Sequence, residues 1–124
     1  MANICAIDDD PAMLKLIEAF LKPEGFQVQT ASSLLTARKL LTKQPFALVI
    51  LDLRLADPKA DGFAVLRFIR ANGAMASTPV LMLTGESSPQ VARSTREAGA
   101  NGYLVKPIRR DWLVKRVREL LEAA

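Results

Sequence analysis

Five strand-sized segments alternate along this chain with five stretches of helical spacing, and that alternation leaves few folds open. The segments are Ile4–Ile7, Phe26–Thr30, Leu48–Leu51, Pro79–Leu83 and Gly102–Val105. Most are nearly continuous in apolar residues, the pattern of strands buried on both faces. Strands separated by helices need crossover connections, so the pattern predicts a parallel sheet with helices on both sides, an α/β fold. Asp10-Pro11 reads as an N-cap followed by the first helical residue. Leu14, Ile17 and Leu21 follow on one face, with Met13, Leu16 and Phe20 beside them, and Pro23 and Gly25 stop the helix. A second helix runs from a cap at Ser32 or Ser33 to about Thr42. A long loop, Leu53 to Asp61, precedes a third helix from Gly62 to about Ala71. The fourth helix spans about Pro89 to Ala98 and stops at Gly99. The last, about Asp111 to Glu122, presents Leu113, Val117, Leu120 and Leu121 to the core. Trp112 is expected to pack at its start, and Cys5 to be a small core residue.

At 124 residues, with no repeat or linker, the chain is expected to form one domain over 1–124. It contains no histidine, which excludes Ser-His-Asp and Cys-His catalysis, imidazole ligation of metals and a histidine pH switch. A single cysteine allows no intrachain disulfide and no Cys-rich zinc site, which fits a cytoplasmic location. No segment approaches the ~20 apolar residues of a membrane span, and no signal peptide is recognisable. The net charge of +4 is uneven. Residues 87–118 hold eight Lys/Arg against two acids, a net of +6, and the remainder carries −2. This basic third suits an acidic partner or nucleic acid.

The polar residues fall where the strands end. Asp8, Asp9 and Asp10 follow the first strand, Asp52 the third, Thr84 the fourth and Lys106 the fifth. Ligands of open parallel sheets bind beyond the carboxyl ends of the strands. Carboxylates converging there repel one another unless a cation sits among them, and an all-oxygen set favours a hard ion such as Mg²⁺. A cation, a lysine and a hydroxyl around a carboxylate are the parts that phosphoryl transfer needs.

In these residues the chain resembles the receiver domain of response regulators, the phosphoacceptor half of two-component signalling. The resemblance is carried by Ile7-Asp8-Asp9-Asp10-Pro11, Leu48-Val49-Ile50-Leu51-Asp52, Asp61-Gly62, Pro79-Val80-Leu81-Met82-Leu83-Thr84-Gly85, Gly99-Ala100-Asn101-Gly102-Tyr103 and Lys106-Pro107, in order and across essentially the whole chain. It implies a five-stranded parallel sheet of order 2-1-3-4-5, flavodoxin-like and CheY-like. It implies that Asp52 is phosphorylated by a phosphohistidine of a histidine kinase or histidine phosphotransfer protein. Asp9, Asp52 and the backbone carbonyl of Arg54 would hold Mg²⁺ or Mn²⁺, with Asp8 acting through a water. Thr84 and Lys106 would hold the phosphoryl oxygens, and Tyr103 would turn inward as Thr84 moves. The output face would be the fourth helix, fifth strand and fifth helix, the same basic region, docking an unknown downstream protein. With no output module in the sequence, a stand-alone receiver is expected, working without membrane or nucleic acid.

The family loop Asp-x-x-x-Pro-x-x-Asp-Gly is two residues longer here, and its proline stands at 58 instead of 56. Arg54 precedes the insertion, so metal binding should survive it. Arg54 and Glu86 would flank the site entrance, where an ion pair between them would hinder the attacking water. Other readings stay open. One is a receiver-like interaction module that takes no phosphate. Another is an aspartyl-phosphate hydrolase, since Asp8-Asp9-Asp10 contains an Asp-x-Asp, although Pro11 stands where the haloacid dehalogenase family has glycine. A third is nucleic-acid binding through residues 87–118, which lack a reading motif and interleaved aromatics.

Overall fold

The apolar segments pair side by side as a parallel sheet in the order β2-β1-β3-β4-β5. The strands are β1 (Asn3–Ile7), β2 (Gln27–Ala31), β3 (Leu48–Asp52), β4 (Val80–Thr84) and β5 (Gly102–Val105). The structure is a computed structural model and describes residues 2–53 and 61–124. The helices are α1 (Pro11–Leu21), α2 (Leu34–Lys43), α3 (Gly62–Ala71), α4 (Pro89–Glu97) and α5 (Arg110–Ala123). The expected fold class and strand order are those observed.

Side chains alternate across each strand, and the two sets build two cores. Ile4, Ala6, Leu48, Ile50, Leu81 and Leu83 face α1 and α5, meeting Leu14, Ile17, Leu21, Leu113 and Val117. Cys5, Ile7, Val49, Leu51, Val80 and Met82 face the other way, meeting Ala37, Leu41, Val65, Leu66 and Ile69. Cys5 is a core residue, and burial pushes its thiol up to about 12. Side-chain caps fix four helix starts. Asp10 accepts from Ala12 N (3.0 Å), Ser33 from Thr36 N (3.1 Å), Asp61 from Ala64 N (3.2 Å) and Ser88 from Val91 N (3.2 Å).

Two expectations need correction. Strand two begins at Gln27, one residue late, because Lys22–Glu24 form a 3₁₀ turn that ends on Gly25 at φ 94°. Phe26 is buried under that turn, with the Arg118 guanidinium 5.3 Å above its ring. Trp112 does not pack. It is 57% exposed, because Leu113, Val117 and Leu120 set the buried face of α5 and position 112 points about 100° away from it.

One stabilising device left no sequence signal. Arg70, in the last turn of α3, donates to Gly99 O twice (Nε 3.1 Å, Nη2 2.8 Å), to Ala76 O (3.1 Å), to Thr78 O (2.7 Å) and to Asn101 Oδ1 (2.8 Å). Asn101 Oδ1 also accepts from Val80 N at 2.8 Å. One guanidinium thus ties α3, the start of β4 and the α4–β5 turn together at the end of the sheet where β4 and β5 begin.

Candidate functional site

The strand register gathers the polar residues. Ile7 pairs with Leu51, so Asp8 lies beside Asp52. Asp52 pairs with Leu83, placing Thr84 one step beyond, and Thr84 pairs with Val105, the neighbour of Lys106. Lys106 N donates to Thr84 O at 2.7 Å, which extends that row past the strand. Four residues scattered over the sequence therefore form one row along the carboxyl edge.

Asp8 and Asp52 are buried, and Thr84 is buried beside them. The Lys106 ammonium lies 3.2 Å from Asp8 Oδ2 and 3.2 Å from Asp52 Oδ1. Carboxylate oxygens of Asp8, Asp9 and Asp52 all lie within 4.8 Å of one another, while Asp9 itself is exposed. Asp8 Oδ1 accepts from Asp10 N at 2.9 Å. Loss of water on burial pushes the Asp8 carboxyl up to about 6, the Asp52 charge adds to this, and the Asp10 N–H and Lys106 oppose it. Burial lowers the Lys106 ammonium, but the two facing carboxylates outweigh it and leave its pKa raised. Among the described residues, two buried carboxylates and the exposed Asp9 face the Lys106 ammonium. All donors are oxygens, so these residues fit a hard divalent cation.

Thr84 Oγ1 accepts from Glu86 N at 3.0 Å, which aims the hydroxyl along the same edge. Tyr103 is half-buried on β5, one residue along from the partner of Leu81. Asp10 caps α1, as expected, and takes no place in the cluster. Arg54, whose carbonyl is expected at the metal and whose side chain is expected to meet Glu86, lies outside the described residues, as does Pro58. Gly62 bounds the site from α3. Its N–H donates to Leu53 O at 2.8 Å, and a Cβ there would run into Asp52 O and the Leu53 backbone. Glycine is thus required where α3 begins against the end of β3.

Comparison with known proteins agrees with this geometry. The model of the response regulator receiver domain family matches residues 4–118. The transcriptional regulatory protein GltR of Pseudomonas aeruginosa is 36% identical over 122 residues, covering 98% of this chain and 50% of that protein. The DNA-binding dual master transcriptional regulator RpaA of Synechocystis sp. is 38% identical over 121 residues, 98% of this chain and 49% of the relative. The chain spans about half the length of these two relatives. Among solved structures, chemotaxis protein CheY4 of Vibrio cholerae superposes with TM-score 0.89 at 31% identity, covering 97% of this chain and 98% of that one. NtrX from Brucella abortus gives TM-score 0.91 at 29% identity, over 98% of this chain and 28% of that one.

Proposed function

The chain belongs to the response regulator receiver family, and from that premise we propose that it takes a phosphoryl group onto Asp52 from the phosphohistidine of a histidine kinase or histidine phosphotransfer protein. One observation carries the assignment. Asp52 is the buried carboxylate at the end of a central strand that shares the Lys106 ammonium with Asp8 at 3.2 Å each. The attacking oxygen of Asp52 forms an O–P bond as the P–N bond of the donor breaks and its electron pair leaves with the imidazole. The donor histidine must come from the partner, since this chain has none.

Asp9, Asp52 and the Arg54 carbonyl are the ligands we assign to Mg²⁺ or Mn²⁺, with Asp8 reaching it through a water. When bound, the ion supplies positive charge to the equatorial phosphoryl oxygens. Lys106, 3.2 Å from Asp52 Oδ1, supplies a second, fixed positive charge. Thr84 accepts from Glu86 N, so its own O–H remains a donor to a phosphoryl oxygen.

Phosphorylation adds about −1.5 to −2 charge at this row of residues. That charge draws Thr84 and Lys106 toward it, and Tyr103 turns toward the space that Thr84 leaves. The equilibrium of the α4-β5-α5 face shifts as a result, and its net charge makes an acidic downstream protein the natural ligand. Hydrolysis of the acyl phosphate resets the module slowly, with Arg54 and Glu86 at the entrance restraining water. Among the described residues no helix is long and apolar enough to cross a membrane.

Intact mass after incubation with acetyl phosphate and Mg²⁺ tests the reading. A single phosphoryl adduct is expected on the wild type and absent from Asp52→Asn and from a metal-free control. A folded wild type that takes no adduct would make this a phosphate-independent interaction module.

A further inference from the structure

We propose that the outer face of α2 and α3 docks an acidic amphipathic helix of a partner protein. This face is separate from the α4-β5-α5 surface and does not depend on the role of Asp52. The two helices lie on one side of the sheet, where Ala37 and Leu41 of α2 and Val65, Leu66 and Ile69 of α3 enter the same core. Together they carry five Lys/Arg and no acid. On the opposite side, α1 and α5 carry five Lys/Arg and four acids. No Asp or Glu occurs between Glu24 and Asp52, or between Asp61 and Glu86. Charge is therefore segregated by layer, which the net charge of the chain conceals. Arg70 turns its guanidinium to backbone carbonyls. Arg38, Lys39, Lys43 and Arg67 are exposed, and none of the four has an ion-pair partner among the described residues.

The arrangement on α2 selects a helix as the occupant. Leu35, Lys39 and Lys43 stand at i, i+4 and i+8, so they form one stripe, turned away from buried Ala37 and Leu41. Leu35 is 64% exposed, the most exposed large apolar side chain among the described residues. The Arg38 guanidinium lies 4.9 Å from the centroid of the Phe68 ring, which holds a cation between α2 and α3. One apolar anchor followed by cations one turn apart matches a helix with a leucine followed by carboxylates at the same spacing. A phosphate backbone would take the cations and leave Leu35 in water. A lipid surface takes up several large apolar side chains from one helix face, and here Leu35 is the single exposed one on α2 and α3. A second copy presenting the same face would set cations against cations.

The test adds a synthetic helical peptide of Glu, Ala and Leu, with glutamates every four residues beside a leucine stripe, to the unphosphorylated full chain. Calorimetry reads affinity, and amide chemical shifts read location. Shifts should cluster in α2 and α3. Lys39→Glu and Arg67→Glu should each weaken binding about fivefold at low salt, because reversal turns an attraction into a repulsion. Leu35→Ser should weaken it by about the same factor. Lys115→Glu makes the same charge change on α5 and should leave affinity within about twofold. All four positions are exposed, and phosphoryl acceptance at Asp52 should be unchanged in every variant. Equal weakening by Lys115→Glu would reduce the effect to net charge and overturn the proposal. So would no binding by the folded wild type, shifts confined to α4, β5 and α5, or equal binding of a peptide with serine in place of leucine. Tighter binding of phosphatidylserine vesicles or duplex DNA would overturn it in favour of a lipid or nucleic-acid surface.

Discussion

Replacing Asp8 with asparagine is expected to make the metal-free protein more stable at neutral pH, although it removes a partner of Lys106. Asp8 is fully buried, and its carboxyl titrates at about 6 instead of 3.8. Between those two values the folded protein holds a proton that the unfolded chain has released. Stability therefore falls as pH rises through that window, by about 1.4 kcal/mol per unit and about 3 kcal/mol in all. Asparagine keeps the shape and omits the charge. The Asp8→Asn variant should match the wild type at pH 4 and exceed it by up to about 3 kcal/mol at pH 8. Urea unfolding followed by circular dichroism, with chelator present, reads this directly. Mg²⁺ should then raise wild-type stability by about 2.7 kcal/mol at a hundredfold excess over Kd, and raise the variant much less. A variant less stable than wild type at pH 8 without metal, or a difference that does not change with pH, would refute the reasoning that burial holds the Asp8 carboxylate at a cost.

Three further outcomes are expected. Gly62→Ala places a methyl against Asp52 O and the Leu53 backbone, so it should cost about 1–3 kcal/mol in urea unfolding and slow phosphoryl acceptance at Asp52. Arg70→Ala removes five hydrogen bonds far from the site and should cost about 3 kcal/mol, with Asp52 still accepting phosphoryl under conditions where the variant is folded. Arg54→Ala and Glu86→Ala should each speed loss of the phosphoryl group severalfold in a mass-based time course, and unchanged rates in both would remove the entrance pair from the account.

The fold was readable because each level of the sequence agrees. The β3 and β4 segments are apolar up to Asp52 and Thr84, Asp10, Ser33, Asp61 and Ser88 stand at helix starts, and Gly25 and Gly99 at stops. That Asp8, Asp52, Thr84 and Lys106 come together was readable from strand ends alone, because a parallel sheet puts all of them on one edge. What was not readable is what depends on direction. Asp8 and Asp9 are equivalent as letters, yet successive residues at a strand end point opposite ways, so one is buried and the other exposed. The direction of Trp112 is hidden for a related reason. A tryptophan next to a core leucine invites burial, but helical spacing turns it outward. Arg70 was invisible because its acceptors are backbone carbonyls at 76, 78 and 99, and carbonyls carry no residue identity.

The hydrogen bond from Gly62 N to Leu53 O closes a neck, with β3 on one side and α3 on the other. Whatever length of chain is threaded between those two residues, both ends return to the same two atoms. Adding two residues to such a closed loop costs about 0.2 kcal/mol of closure entropy. The knot of backbone at Leu53 and Gly62 keeps Asp52 in register regardless. Added length between the two is therefore taken up beyond the neck, and the frame that holds Asp52 at the end of β3 stays as it is.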